Sequence, residues 1–181
     1  KIKSTQDLVR VIAALHDAGL PALFGFGGGA DLKDSNAVIV NAGQGGLSLP
    51  NRNYYTDTDA KSEETRQKFV EYMTNMFKLL GDKPDAAAAN AKTVMDIQTR
   101  LATSSLAPVD FRDPNKNYNK ISLTDAQAIV PNISLNEYMK LRGFPTATEI
   151  NFGQPNFFKE VNTMLTEVSL DNWKTYLRWM T

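Results

Sequence analysis

The chain has 181 residues with 20 basic and 20 acidic side chains, so its formal net charge is zero. This balance argues against a basic surface that binds nucleic acid, and no apolar run is long enough to span a bilayer. With no cysteine and one histidine, His16, the sequence excludes disulfides, thiolate metal sites and thiol nucleophiles. Composition alone therefore makes this chain a poor candidate for catalysis by itself.

The first predicted elements are a helix and a β-hairpin. Ser4 is a typical N-cap, and apolar residues follow it at helical spacing. Residues 22–42 combine a glycine-rich apolar stretch, turn-forming residues and a β-branched stretch, which together predict a hairpin. Residues 43–60 are expected to form a long loop with two adjacent tyrosines.

Two long helices are predicted over residues 61–106. Apolar side chains form one stripe up to Gly81, which ends the first of these helices. Pro84 suits the first turn of the second helix, because proline lacks only an N–H that has no helical partner there.

The remaining chain is predicted to contain a loop at 107–120, shorter helices over 122–181 and one strand at 147–152. Capping boxes at Thr124 and Ser134 are expected to begin two of these helices. The resulting fold class is mainly α with a small β-sheet, made of the hairpin plus one strand.

Both terminal helices carry strongly apolar faces, Leu8 to Leu15 and Leu170 to Met180. Such a face needs a partner, and no stop signal follows the last helix. We therefore expect residues 1–181 to be a single segment of a longer protein, with apolar surface left open at its ends.

Gly25, Gly27 and Ala30 match the spacing G-x-G-x-x-A of dinucleotide-binding turns. That motif requires a helix immediately afterwards, whose N-terminus holds the phosphates. Here turn residues and a strand follow, so we expect the glycines to belong to a hairpin strand packed closely against other backbone.

Two further features look like metal sites but are better explained otherwise. An EF-hand loop beginning at Asp57 would need glycine where Ser62 stands and glutamate where Lys68 stands; acidic residues here suit a helix N-terminus instead. A zinc site needs at least three protein ligands, so we expect His16 to be a surface or boundary residue.

Residues 44–55, QGGLSLPNRNYY, resemble a segment of the neprilysin-like zinc metallopeptidases, peptidase family M13, which include endothelin-converting enzyme and bacterial endopeptidases. The family pattern is close to Q-x-G-L-x-L-P-x-R-D-Y-Y, and Asn53 replaces its aspartate. Five weaker similarities occur in the family's order: Gly29–Ser35, Ile97–Ala102 with Gln98 for the usual glutamate, Arg112–Pro114 with Tyr118–Lys120 and Leu123, Gln154–Phe158, and Leu170–Trp179. Together these motifs are distributed, in the family's order, across nearly all of the chain.

The resemblance implies the N-terminal helical lobe of a two-lobed peptidase, whose cavity admits peptides rather than folded proteins. The implied partners are the C-terminal catalytic lobe of the same protein and small peptide substrates. The family's H-E-x-x-H zinc motif and its downstream glutamate are missing, so no catalytic, cofactor-binding or metal residue can be assigned. Zinc is expected in the catalytic domain, which this sequence lacks.

Arg52, Tyr54 and Tyr55 are the possible contacts at the boundary between the lobes. The alternative is that these residues hold the long loop on the helices.

The lack of cysteine departs from animal members of the family, which are rich in disulfides, and indicates a bacterial protein of the periplasm or cell envelope. A second hypothesis is a stand-alone helical module that binds peptides or proteins without catalysis.

Overall fold

Helices form most of the computed structural model, which describes residues 1–181. The helices are α1 (Thr5–Asp17), α2 (Asn53–Thr56), α3 (Ala60–Leu79), α4 (Pro84–Ser104), α5 (Pro108–Phe111), α6 (Pro114–Asn117), α7 (Leu123–Ile129), α8 (Leu135–Leu141), α9 (Pro155–Glu167) and α10 (Leu170–Met180). The strands are β1 (Phe24–Asp31), β2 (Asp34–Gln44), β3 (Lys120–Ser122) and β4 (Glu149–Phe152). The predicted class, mainly α with a small sheet, is confirmed. None of the helices combines the length and apolar character needed to cross a membrane.

The four strands form one mixed sheet in the order β1-β2-β4-β3. β1 and β2 are the antiparallel arms of the hairpin, and β4 adds to β2 in parallel over Val40–Ala42 only. The glycines of the G-x-G-x-x-A spacing lie in β1, as expected for a hairpin strand.

The sheet has one strand more than predicted. β3 lies at the end of the stretch that was expected to be a loop, and Ile121 pairs with Ile150 of β4. A three-residue strand is too short to show alternation, so it forms only because β4 offers a partner edge. The same predicted loop contains the one-turn helices α5 and α6.

The predicted capping boxes at Thr124 and Ser134 were wrong in detail. α7 begins after Ser122, whose Oγ accepts a hydrogen bond from the backbone N–H of Asp125 at 3.0 Å. Ser134 precedes α8 without a side-chain capping bond. Glu137 instead accepts a hydrogen bond from Arg10 Nε at 2.6 Å, so its carboxylate joins α8 to α1.

The hydrophobic core is a single cluster that includes both terminal helices. α4 lies at its centre, against α3, α9 and α10, while α1 packs on α8 and α10. Leu8, Ile12, Trp173 and Tyr176 are at most 1% exposed. The expectation of open apolar faces on the terminal helices was therefore wrong, because these helices cover each other and their neighbours.

Truncating Leu101 of α4 should test this central position. Leu101 is fully buried, so Leu101→Ala should lower the free energy of unfolding by about 2–5 kcal/mol. Leu79→Ala on α3 is the control, because Leu79 is 81% exposed and should change it by less than about 0.5 kcal/mol. Urea unfolding measures both, and equal losses would contradict the assigned core.

Candidate functional site

A cleft of about 420 Å³ lies where the loop after β2 passes the end of α4. Its walls are formed mainly by residues between Gln44 and Arg52 and between Ser105 and Arg112. Its only charged lining residues are Arg52 and Arg112, and we call it the arginine groove. A second cleft of similar volume lies beside β2, but its charges pair internally, since Lys120 Nζ lies within 3.3 Å of carboxylates of Asp31 and Glu149.

The loop that forms one wall requires glycine at two successive positions. Gly46 has φ of 73°, and a Cβ there would lie 2.6 Å from Tyr176 Oη and 2.7 Å from the carbonyl oxygen of Leu23. A Cβ on Gly45 would lie 2.9 Å from the backbone nitrogen of Gly25. The loop therefore packs directly against the backbone at the start of β1.

Tyr176 of α10 joins the two backbone segments at this contact. Its hydroxyl donates to the carbonyl oxygen of Gly46 at 2.9 Å and accepts from the N–H of Leu23 at 2.9 Å. The side chain is fully buried, and this burial raises the pKa of Tyr176 far above its ordinary value. Leu23 has φ of 67°, a left-handed conformation that is rare for a residue other than glycine.

Tyr55 holds the next part of the same loop. Its hydroxyl donates to Gln98 Oε1 at 2.8 Å and accepts from the N–H groups of Ser48 and Leu49 at 3.2 and 2.9 Å. Ser48 Oγ in turn accepts from Gln98 Nε2 and from Trp179 Nε1. Tyr55 is only 4% exposed, and burial raises its pKa to about 12. This geometry favours the alternative for Tyr55, that it holds the loop on the helices.

Gln44 joins the sheet to the opposite wall, and Gln154 supports Gln44. The side chain of Gln44 accepts from the N–H of Leu106 at 2.7 Å and donates to its carbonyl oxygen at 3.3 Å. Gln154 Oε1 accepts from the backbone N–H of Gln44 at 2.7 Å. Gln44 therefore sets the separation of the two walls, a role that sequence alone could not indicate, because residues 44 and 106 meet only in the fold.

Arg52 and Tyr54, the other predicted boundary residues, retain access to solvent. Arg52 is half-buried, and its Nη1 donates to the carbonyl oxygen of Ser105 at 2.9 Å. Tyr54 is 38% exposed on the one-turn helix α2. Arg112 faces the same groove as Arg52, and sequence analysis missed it as a site residue although it belongs to one of the quoted motifs.

The residues present do not fit a zinc site. Nε2 of His16 donates to the carbonyl oxygen of Ala22 at 2.8 Å, and Nδ1 lies against the hydroxyl of Tyr138. No three potential ligands among histidine, cysteine, aspartate and glutamate come together. Asp59 accepts from the N–H groups of Lys61 and Ser62, which explains its place before α3.

A family model described as peptidase family M13 matches residues 1–181. The chain belongs to peptidase family M13. Endothelin-converting enzyme 1 of Mus musculus is 27% identical over 181 residues, which cover 96% of this M13 chain and 23% of the relative. Endothelin-converting enzyme-like 1 of the same organism is 26% identical over 163 residues, 87% of this chain and 21% of the relative.

Two solved structures share the fold. The Mycobacterium tuberculosis zinc metalloprotease Zmp1, in complex with an inhibitor, superimposes with a TM-score of 0.92 at 23% identity over 99% of this M13 chain and 28% of that chain. PepO from Lactobacillus rhamnosis superimposes with a TM-score of 0.71 at 18% identity, over 98% of this chain and 28% of that one. The M13 chain thus spans about a quarter of the length of these relatives.

The close approach of the backbone at Gly46 predicts that one added methyl group lowers the stability of the fold strongly. Gly46→Ala should lower the free energy of unfolding by about 2 kcal/mol or more, because it meets backbone at under 3 Å and has a positive φ. Gly27→Ala is the matched control, since no atom lies within 4 Å of its added Cβ. Urea unfolding gives the free energy of unfolding of both variants. Similar losses in the two would show that the loop can shift to make room for the methyl group at residue 46.

His16 predicts a pH dependence of stability. Burial lowers the pKa of His16 below its ordinary value of 6.5, so the unfolded chain binds a proton more readily than the folded chain does. The contribution of neutral His16 to stability should be complete above pH 6.5 and should be lost progressively as the pH falls below that value. Thermal unfolding should show a flatter profile for His16→Gln in this range, and an unchanged profile would exclude His16 as the cause.

Proposed function

We propose that this chain is the non-catalytic helical lobe of a zinc metalloendopeptidase that hydrolyses small peptides, and that it walls the substrate cavity. The observation that carries the proposal is the match of the M13 family model to all 181 residues. The superposition on Zmp1, which is described as a zinc metalloprotease, supports it. In this proposal the whole protein is about four times as long as this chain, as its relatives are.

Hydrolysis by zinc-activated water requires three protein ligands and a nearby base. The only histidine of this chain has both ring nitrogens engaged, so the ligands must come from a catalytic lobe outside residues 1–181. The contribution of this chain is then steric. Its firmly packed side of the substrate cavity keeps folded proteins out, whereas flexible peptides can enter the cavity. The buried hydrogen bonds of Tyr55 and Tyr176 give the loop after β2 the rigidity that such a wall needs.

Within this proposal, Arg52 and Tyr54 are the contacts at the boundary with the catalytic lobe. The side chains of Arg52 and Tyr54 are accessible to solvent and can therefore contact a partner. Tyr55 is buried and contributes indirectly, because it fixes the loop that carries them. We further propose an extracytoplasmic bacterial location, in the periplasm or cell envelope, which the lack of cysteine and the similarity to bacterial structures support.

A second candidate is a stand-alone helical module that binds peptides or proteins. The packing of α1 and α10 into one hydrophobic core with the rest of this chain favours it. The two candidates differ in whether peptide hydrolysis accompanies binding.

The test is made on the full-length protein, with a series of labelled peptides and a folded protein as substrates. We expect cleavage of short peptides, no cleavage of the folded protein, and loss of activity on chelation that zinc restores. The control replaces the glutamate of the H-E-x-x-H motif by glutamine, which should abolish cleavage and leave zinc bound. Binding of peptides without cleavage by the zinc-loaded protein would favour the second candidate.

A further inference from the structure

We propose that the arginine groove docks an acidic segment of the catalytic lobe of the same protein, with carboxylates at Arg52 and Arg112 and an apolar side chain on Phe111. This inference rests on the proposed function, because it assumes that such a lobe exists. It goes further in naming the surface, the chemistry of its occupant and a residue, Arg112, that pairs with Arg52.

The first argument is uncompensated charge. The side chain of Arg52 makes one hydrogen bond, to the neutral carbonyl oxygen of Ser105, and the guanidinium of Arg112 makes no hydrogen bond or ion pair. Elsewhere the chain makes twelve ion pairs, and the groove contains no acidic residue to make another. Two guanidinium groups facing one cleft suit a carboxylate, which arginine binds with paired, charge-assisted hydrogen bonds.

The second argument is apolar exposure beside those charges. Phe111 lines the groove and is 48% exposed, and Val109 on the same one-turn helix is 74% exposed. Exposed aromatic side chains next to arginine are the composition found in the cores of protein interfaces. A purely ionic ligand would leave this apolar surface in water, whereas a polypeptide segment covers both parts.

The third argument is that the groove is already formed. Gln44 holds its two walls together through Leu106, and Arg52 spans from one wall to Ser105 on the other. An occupant therefore does not need to order the loop as it binds, which removes a large part of the entropic cost of docking.

The occupant is assigned to the same protein by length. This chain covers only 21–28% of the relatives reported above, so in the proposed protein about three times its length of further polypeptide, including the catalytic lobe, would be attached to it. A covalently attached segment acts at a high effective concentration, which favours it over a free peptide or a second copy.

A photo-crosslink identifies the occupant directly. Phe111→p-benzoylphenylalanine in the full-length protein, irradiated without substrate, should crosslink within one molecule to a peptide outside residues 1–181 that contains aspartate or glutamate. The same substitution at Tyr72, which is 55% exposed on α3, is the control and should not reach that peptide. Mass spectrometry of the digest gives the site.

The other outcomes each overturn the inference. Crosslinks to a segment without acidic residues would refute the chemistry, and crosslinks between molecules would assign the groove to self-association. If a parallel sample irradiated with an added acidic peptide crosslinks only to that peptide, the groove is a substrate subsite, and no crosslink in either sample would leave it as free surface. Hydrolysis without the expected crosslink refutes this inference alone, and the crosslink without hydrolysis refutes only the proposed function.

Charge removal provides a second test that does not depend on activity. Arg112→Gln, which breaks no side-chain hydrogen bond within residues 1–181, should increase amide hydrogen exchange of residues 105–112 in the full-length protein by about tenfold, equivalent to about 1.4 kcal/mol. Arg112→Lys should restore part of the protection, and Lys159→Gln, at an exposed lysine on α9, should have no effect. Unchanged exchange in Arg112→Gln would contradict the docking of carboxylates here.

Discussion

The structure depends on one buried hydrogen-bonding group, the hydroxyl of Tyr176. It joins the carbonyl oxygen of Gly46 to the N–H of Leu23, where two backbone segments approach too closely for any side chain on Gly46. Residues 45–52 have no regular secondary structure, so their buried backbone groups need side-chain partners. Tyr176 supplies one of these partners from α10, at Gly46, and Tyr55 supplies the partners of Ser48 and Leu49. The helical core thereby sets the position of the loop.

Gln98 connects Tyr55 and Ser48 at the centre of this network. Gln98 is fully buried, accepts from the hydroxyl of Tyr55 and donates to Ser48 Oγ. An amide offers both an acceptor and a donor, so it satisfies these two neutral hydroxyl groups without a buried charge. The amide therefore holds the loop in place without an ionised group in the core.

Local patterns predicted the parts of the fold that depend on local interactions, and the remaining parts depend on tertiary pairing. The stripe before Gly81 and the proline at 84 correctly indicate α3 and α4, because helical periodicity is contained in the sequence itself. β3 exists only because β4 offers an edge, and no pattern of three residues indicates that. The candidate site was likewise only partly predictable. Arg52 lies in a motif that is recognisable in the sequence. Its proximity to Arg112 is visible only in the fold, where the segment after α4 returns to the loop that carries Arg52.

Although the net charge of the sequence is zero, the fold creates a local excess of positive charge in the arginine groove. The 20 basic and 20 acidic side chains cancel in the whole chain, and this balance argues against a general electrostatic attraction to polyanions. Whether two opposite charges form an ion pair, however, depends on where the fold places them. The ion pairs lie on other surfaces, for example between Arg178 and Asp82 and between Arg100 and Glu160. The arginine groove is left with positive charge, apolar rim and rigid walls. These three properties together describe a surface that is adapted to contact a polypeptide.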